Sequence, residues 1–227
     1  MSVVAAAVCP HPPLLVPEVA TGAAPELDDL RAACLTAIDA LSAASSILVV
    51  GSGTAGAYDA SAGGSFGAYG APGVRIGTGP AVLPLSLAMG GWLLDRSKSA
   101  QLPRGYRAVP GDTAPGDCVR LGRELAESNE RLGLLVLGDG SARRSEHSPV
   151  HLHPRAEIFD TTVAQALRAK DLDVLEALDP DLARELQAAG RAPWQVLAGA
   201  LEGTSLSGDL LYEAAPYGVG YLVATFA

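Results

Sequence analysis

The sequence predicts an α/β fold with a central mixed, largely parallel sheet covered by helices on both faces. Three observations predict it. Short apolar runs alternate with stretches of helical period along most of the chain. Three of those runs, SVVAAAV, SSILVVGSG and GLLVLGDGS, have the continuous apolar centres VVAAAV, ILVV and LLVL, as strands buried on both faces do. The second and third of them end in glycine-rich turns, where α/β sheets carry their loops.

The elements follow in order. Residues 2 to 8 form a first buried strand, stopped by prolines. PELDDLRAACLTAIDALSAA, residues 25 to 44, places Leu27, Leu30, Ala33, Cys34, Ile38 and Leu41 at helical spacing, and Pro25 with Glu26 suits its start. SSILVVGSG is the second strand. Residues 51 to 80 are dense in Gly, Ala and Ser and lack a period, so they read as a long loop, or a loop with a short strand. Residues 81 to 95 read as helix. Residues 96 to 117 read as loop around a strand near Tyr106 to Val109, and residues 118 to 132 as an amphipathic helix. GLLVLGDGS is the third buried strand. Beyond residue 155 come four helical segments, IFDTTVAQALRAK, DLDVLEAL, PDLARELQAAG and PWQVLAGALEG. The end, LSGDLLYEAAPYGVGYLVATFA, reads as two strands around a PYG turn. No repeat or linker divides the chain, so residues 1–227 are expected to form a single domain.

Composition bounds the function. Hydrophobic residues make up 48% and charged residues 18%, enough for a large core and too apolar for disorder. The net charge of -9 argues against a surface that tracks phosphates, so no nucleic acid is expected as partner. No apolar run of about 18 residues occurs, so no membrane span is expected. The N-terminus lacks the basic start of a signal peptide. Cys9, Cys34 and Cys118 are odd in number and far apart, with no CxxC, which suggests neither a zinc ribbon nor a disulfide framework. A cytoplasmic protein is the expectation.

Four stretches bear on chemistry. Residues 51 to 56, GSGTAG, match GxGxxG after a strand, the pattern that lets backbone approach a pyrophosphate at a helix N-terminus. No helix pattern follows, and no acidic residue stands about 20 positions on to hold a ribose. Nucleotide binding is therefore an alternative, and a flexible turn the plainer reading. Residues 138 to 154 carry His147, His151 and His153, imidazoles that suit a metal ion. Pro149, Pro154 and two arginines make the same stretch read as a solvated loop. His11 lies between Pro10 and Pro12 at the expected carboxyl end of the first strand, where open α/β sheets bind ligands. It reads equally as a ligand-facing imidazole and as a turn residue. Finally, neither a GxSxG elbow nor a Ser-His-Asp arrangement is present, and Cys9 reads as buried packing.

HPPLLVPE, GSGT after ILVV, GDGS after LLVL, AGRAPWQVLAGA and APYGVGYLVATF occur in that order. Together they resemble the LigB-type class III extradiol ring-cleavage dioxygenase superfamily, which includes the Memo-like proteins. The resemblance implies a cleft at strand ends, with Fe(II) held by two histidines and a carboxylate that leave room for a catecholic substrate and dioxygen. A further histidine acts as acid or base.

Only His11 stands at a family ligand position. Gly51, Ser52, Gly53 and Thr54 occupy the place of the second histidine. Gly138, Asp139, Gly140 and Ser141 lead to Ala142 where the acid/base histidine is expected, and Ala188 and Ala189 precede Gly190 at the last ligand. The expected cleft lining is His11, Ser52, Gly53, Thr54, Asp139, Ser141, Ala142 and Tyr217, with no catalytic residue assigned. The expectation is a pseudoenzyme without cofactor that binds an unknown small molecule or protein, with a homodimer as one open assembly. The alternative is a metalloenzyme acting on an aromatic diol, with Fe(II) or zinc held by His11 and the loop of His147, His151 and His153.

Overall fold

The computed structural model describes residues 3–127 and 131–227. Residue 2, and residues 128–130 within the helix expected from 118 to 132, lie outside the described residues. In chain order the elements are β1 (Val3–Cys9), α1 (Pro17–Ala20), α2 (Asp28–Asp39), β2 (Ser46–Ser52), β3 (Gly56–Tyr58), β4 (Gly64–Phe66), β5 (Ala71–Ile76) and α3 (Leu85–Leu94). There follow β6 (Arg104–Val109), α4 (Pro115–Ala126), β7 (Leu132–Leu137), α5 (Ala156–Ala169), α6 (Leu172–Glu176), α7 (Pro180–Leu186), α8 (Arg191–Leu201), β8 (Gly208–Ala214) and β9 (Tyr221–Phe226).

The main sheet has seven strands in the order β3-β6-β2-β7-β1-β9-β8. The four central strands, β6, β2, β7 and β1, run parallel. β3 is antiparallel at one edge, and β9 with β8 at the other. Helices cover both faces. Because side chains alternate along a strand, β1 sends Ala5, Ala7 and Cys9 to one core and Ala6 and Val8 to the other. The first core takes Leu30, Cys34 and Ile38 of α2 and Leu87, Met89 and Trp92 of α3. The second takes Phe159 and Val163 of α5 and Trp194, Val196 and Leu197 of α8. Burial on both faces is why the strand sequences are continuously apolar.

Residues 51 to 80 hold more structure than their composition predicts. β3 follows the glycine turn directly and pairs with β6, and β4 and β5 form a separate hairpin with Gly64 opposite Ile76. Phe66 and Ile76 tie that hairpin to the core. Glycine and alanine carry too little side chain to show a strand period, so the pairing was not visible in sequence. Among the described residues no helix is long and apolar enough to cross a membrane.

Candidate ligand site at the carboxyl edge of the sheet

Three neighbouring strands bring polar groups together at their ends. In β1 and β7, Cys9 pairs with Leu137, and the Gly138 amide then donates to the Cys9 carbonyl at 3.0 Å. The residues that follow, His11 and Asp139, therefore emerge side by side. The His11 backbone N–H donates to Asp139 Oδ1 at 2.7 Å. The imidazole Nδ1 stands 3.6 Å from the same oxygen, too far for a hydrogen bond. On the other side, β9 pairs with β1 so that Ala6 faces Phe226 and Val8 faces Ala224. Continuing that register sets Tyr221 level with His11. Burial, followed by the Asp139 charge, pushes the Tyr221 phenol well above the ordinary tyrosine range.

His11 is 8% exposed, and its Nδ1 is buried with no hydrogen-bond partner. Buried polar atoms are normally satisfied, so a partnerless imidazole nitrogen beside a carboxylate at a strand end makes this a candidate site.

The turn that carries Asp139 is fixed from behind. Asp160, on α5, is fully buried and accepts the Ser141 N–H at 2.8 Å and Arg144 Nη1 at 3.0 Å. Burial pushes its carboxyl up, against the pull of those two donors. Gly140 and Gly220 pass so close to the Asp160 carboxylate that a side chain at either would collide with it. The Gly140 amide donates to the Gly220 carbonyl at 2.7 Å, and the Gly220 amide to the Ser141 carbonyl at 2.9 Å. The Gly190 amide donates to the Asp139 carbonyl at 2.8 Å.

The other residues singled out in sequence take varied positions. Ser52 accepts the Ser86 hydroxyl on its carbonyl at 2.6 Å. Gly53 packs beneath Pro84, and Thr54 is exposed. The first turn of α3 thus covers the β2 end of the row. Ser141 is fully buried and donates its hydroxyl to the Leu186 carbonyl at 3.2 Å, so it faces the interior. Ala142 is half-buried, its amide donating to the same carbonyl at 3.0 Å. Tyr217, in the β8–β9 turn, donates to Glu26 Oε2 at 2.8 Å.

The histidine-rich loop is employed elsewhere. His153 Nδ1 accepts the Arg155 N–H at 3.2 Å, which leaves Nε2 to donate to Glu185 Oε1 at 2.9 Å. His147 and His151 are exposed. Ser148 donates to the Gly218 carbonyl at 2.9 Å and the Arg144 amide to the same carbonyl at 3.0 Å, so this loop clasps the β8–β9 turn. Among the described residues no three His, Cys, Asp or Glu side chains converge as a metal site. One imidazole and one carboxylate do not amount to the two-histidine, one-carboxylate set that Fe(II) takes, nor to the three protein ligands of catalytic zinc. The residues present do not fit the metal.

Residues 51 to 56 likewise lack the helix that a pyrophosphate site requires, since β3 follows them. Tyr221, Asp160 and Arg144 were not named from the sequence, and Glu26 was named only as a helix-start residue. Tyr221 opens a strand after a glycine turn, the one signal that placed it near strand ends.

No model of a known protein family matches the chain. Over 99 residues, 44% of its length, it is 30% identical to Protein CA_C1420 of Clostridium acetobutylicum. That match spans 21% of the clostridial protein. The fold is similar to that in the crystal structure of uncharacterized protein JW3007 from Escherichia coli K12. The TM-score is 0.59 at 14% identity, over 98% of this chain and 99% of that one. Such likeness carries the fold and leaves the chemistry to the site.

A separate cavity of about 460 Å³ opens beside the site, between the β6–α4 loop at Gly111 and Asp112 and the end of α7 at Gln187, Ala188 and Ala189. Neither His11 nor Asp139 lines it. We take His11 as the candidate site, because its buried Nδ1 lacks a hydrogen-bond partner beside Asp139. The cavity is lined by Asp112, Asp181, Arg184 and Gln187, but Arg184 and Asp181 pair with each other at 2.9 Å on exposed side chains.

Proposed function

We propose that the protein is a metal-independent small-molecule-binding relative of the LigB-type class III extradiol dioxygenases. In this reading the chain keeps the family's framework, and the cleft serves binding in place of ring cleavage. The observation that carries the reading is the His11 imidazole, buried at a strand end with Nδ1 unpartnered beside Asp139. The order of the HPPLL, GDGS and PYGVGY motifs along the chain supports the relationship. A cytoplasmic location suits three free, buried cysteines, since reducing compartments keep thiols unpaired.

The test is direct. The protein is produced with iron and zinc supplied, assayed for bound metal, and followed for oxygen uptake with catechol. We expect substoichiometric metal and no oxygen uptake. Stoichiometric metal, together with oxygen uptake that His11→Ala abolishes, would overturn the reading in favour of a dioxygenase.

A further inference from the structure

We infer that the His11–Asp139–Tyr221 site recognises a protonated primary amine. The inference rests on the small-molecule reading and names the class of ligand.

The first argument is charge. Asp139 has a side chain only 16% exposed, and its polar partner among the described residues is the His11 backbone N–H. The nearby arginines are committed elsewhere. Arg144 pairs with Asp160 at 3.0 Å and Glu157 at 3.7 Å. Arg143 donates to the carbonyls of His151 at 2.7 Å and Glu185 at 3.1 Å. No lysine or arginine among the described residues pairs with Asp139. A largely buried carboxylate without a cation is costly, and a cationic ligand removes that cost. For the same reason the site repels phosphates and carboxylates.

The second argument is the count of donors and acceptors. The site offers the second Asp139 oxygen, an imidazole nitrogen of His11 and the Tyr221 hydroxyl oxygen, none hydrogen-bonded to another described residue. An alkylammonium has three N–H donors and no acceptor. Its donors match the three groups in number, which those of neither an alcohol nor an amide do. A bare divalent cation has the charge but finds too few ligands here.

The third argument concerns the ligand's body. Tyr212 and Tyr217 pack against the core cluster that contains Tyr221. An amine on an apolar or aromatic body suits those rings.

The experiment uses the full chain with four probes of similar size: 2-phenylethylamine, 2-phenylethanol, phenylacetate and catechol. Thermal unfolding is followed for each, because a ligand of the folded state raises the midpoint. The amine is expected to raise it, and the alcohol and the acid to leave it unchanged. Asp139→Asn keeps the acceptor for the His11 N–H and removes the charge. It is expected to weaken amine binding by about tenfold or more, as loss of a charged hydrogen bond does. If that variant loses its circular dichroism, Tyr221→Phe carries the test, with a severalfold loss expected.

An amine shift that persists unchanged in a folded Asp139→Asn overturns the assignment. So does a shift with catechol and none with the amine, which leaves the small-molecule reading standing. If none of the four probes shifts the midpoint, the amine assignment and the small-molecule reading both fall.

Discussion

Tyr221 shows how one residue's surroundings set its chemistry. Its phenol is buried at the start of β9 and the Asp139 charge acts on it, and both effects oppose ionisation. The folded pKa therefore lies above the unfolded value of about 10. A raised value in the folded state means stability that is fully present below the unfolded pKa and is lost as pH climbs through the folded one. Alkaline titration of the phenolate band should show Tyr221 as the last of the six tyrosines to ionise, late enough to coincide with unfolding. Tyr221→Phe should remove that late step and extend the alkaline limit of the fold. If the variant titrates like the parent protein, Tyr221 is not the buried phenol. Asp160 makes a second case. Replacing it with alanine strips Arg144, whose side chain is 17% exposed, of its nearer carboxylate, leaving Glu157 at 3.7 Å, and orphans the Ser141 amide. Breaking one side of a buried pair costs about 3–5 kcal/mol, and the partial exposure of Arg144 puts this loss near the lower end. A urea midpoint that falls accordingly, at unchanged slope, would bear this out. Arg144→Ala added to Asp160→Ala should cost less than the two single changes together, since no charge is then left unpaired.

At the scale of elements, α4 and α8 approach more closely than side chains allow. A methyl group at Gly122 would collide with the Val196 carbonyl, and one at Gly199 with the Val119 carbonyl. Each helix puts its glycine against the backbone of the other. Gly122→Ala should therefore destabilise the protein although alanine is the better helix former, and so should Gly199→Ala. We expect about 1–3 kcal/mol for each, the cost of overpacking, read from chemical denaturation. Once one methyl has forced the helices apart, the second meets less resistance, so the double variant should lose less than the sum. The amphipathic period made α4 legible in the sequence, and the long apolar face did the same for α8. The reason for their glycines was not legible, because a period shows which face is buried and not what lies against it. Residues 51–80 failed in the opposite way. Strands there, such as GAY and GSF, are three residues long and mostly small, so nothing in them alternates.

For the whole molecule, the sheet was legible because three buried strands have continuously apolar centres, VVAAAV, ILVV and LLVL. The site was legible only in part. His11 and Asp139 each follow a strand that sequence located, so their placement at one edge followed from strand order. Their adjacency did not, because β7 enters between β1 and β2, and chain order alone does not show an insertion of that kind. Tyr221 depended further on the antiparallel register of β9. The same topology places all three cysteines deep in the cores: Cys9 at the end of β1, Cys34 on α2 and Cys118 on α4. Burial raises the Cys9 and Cys118 thiols above their ordinary range, so the reactive thiolate is scarce as well as inaccessible. A thiol reagent then has one route to them, through opening of the fold. The native protein should show no fast-reacting thiol, and three should appear in denaturant. Native labelling should be slow, and destabilising variants such as Gly199→Ala should accelerate it in proportion to the stability they lose, when reclosing outpaces labelling. Fast stoichiometric labelling of one cysteine in the native state would mean that one of the two cores opens locally, and the labelled position would show which.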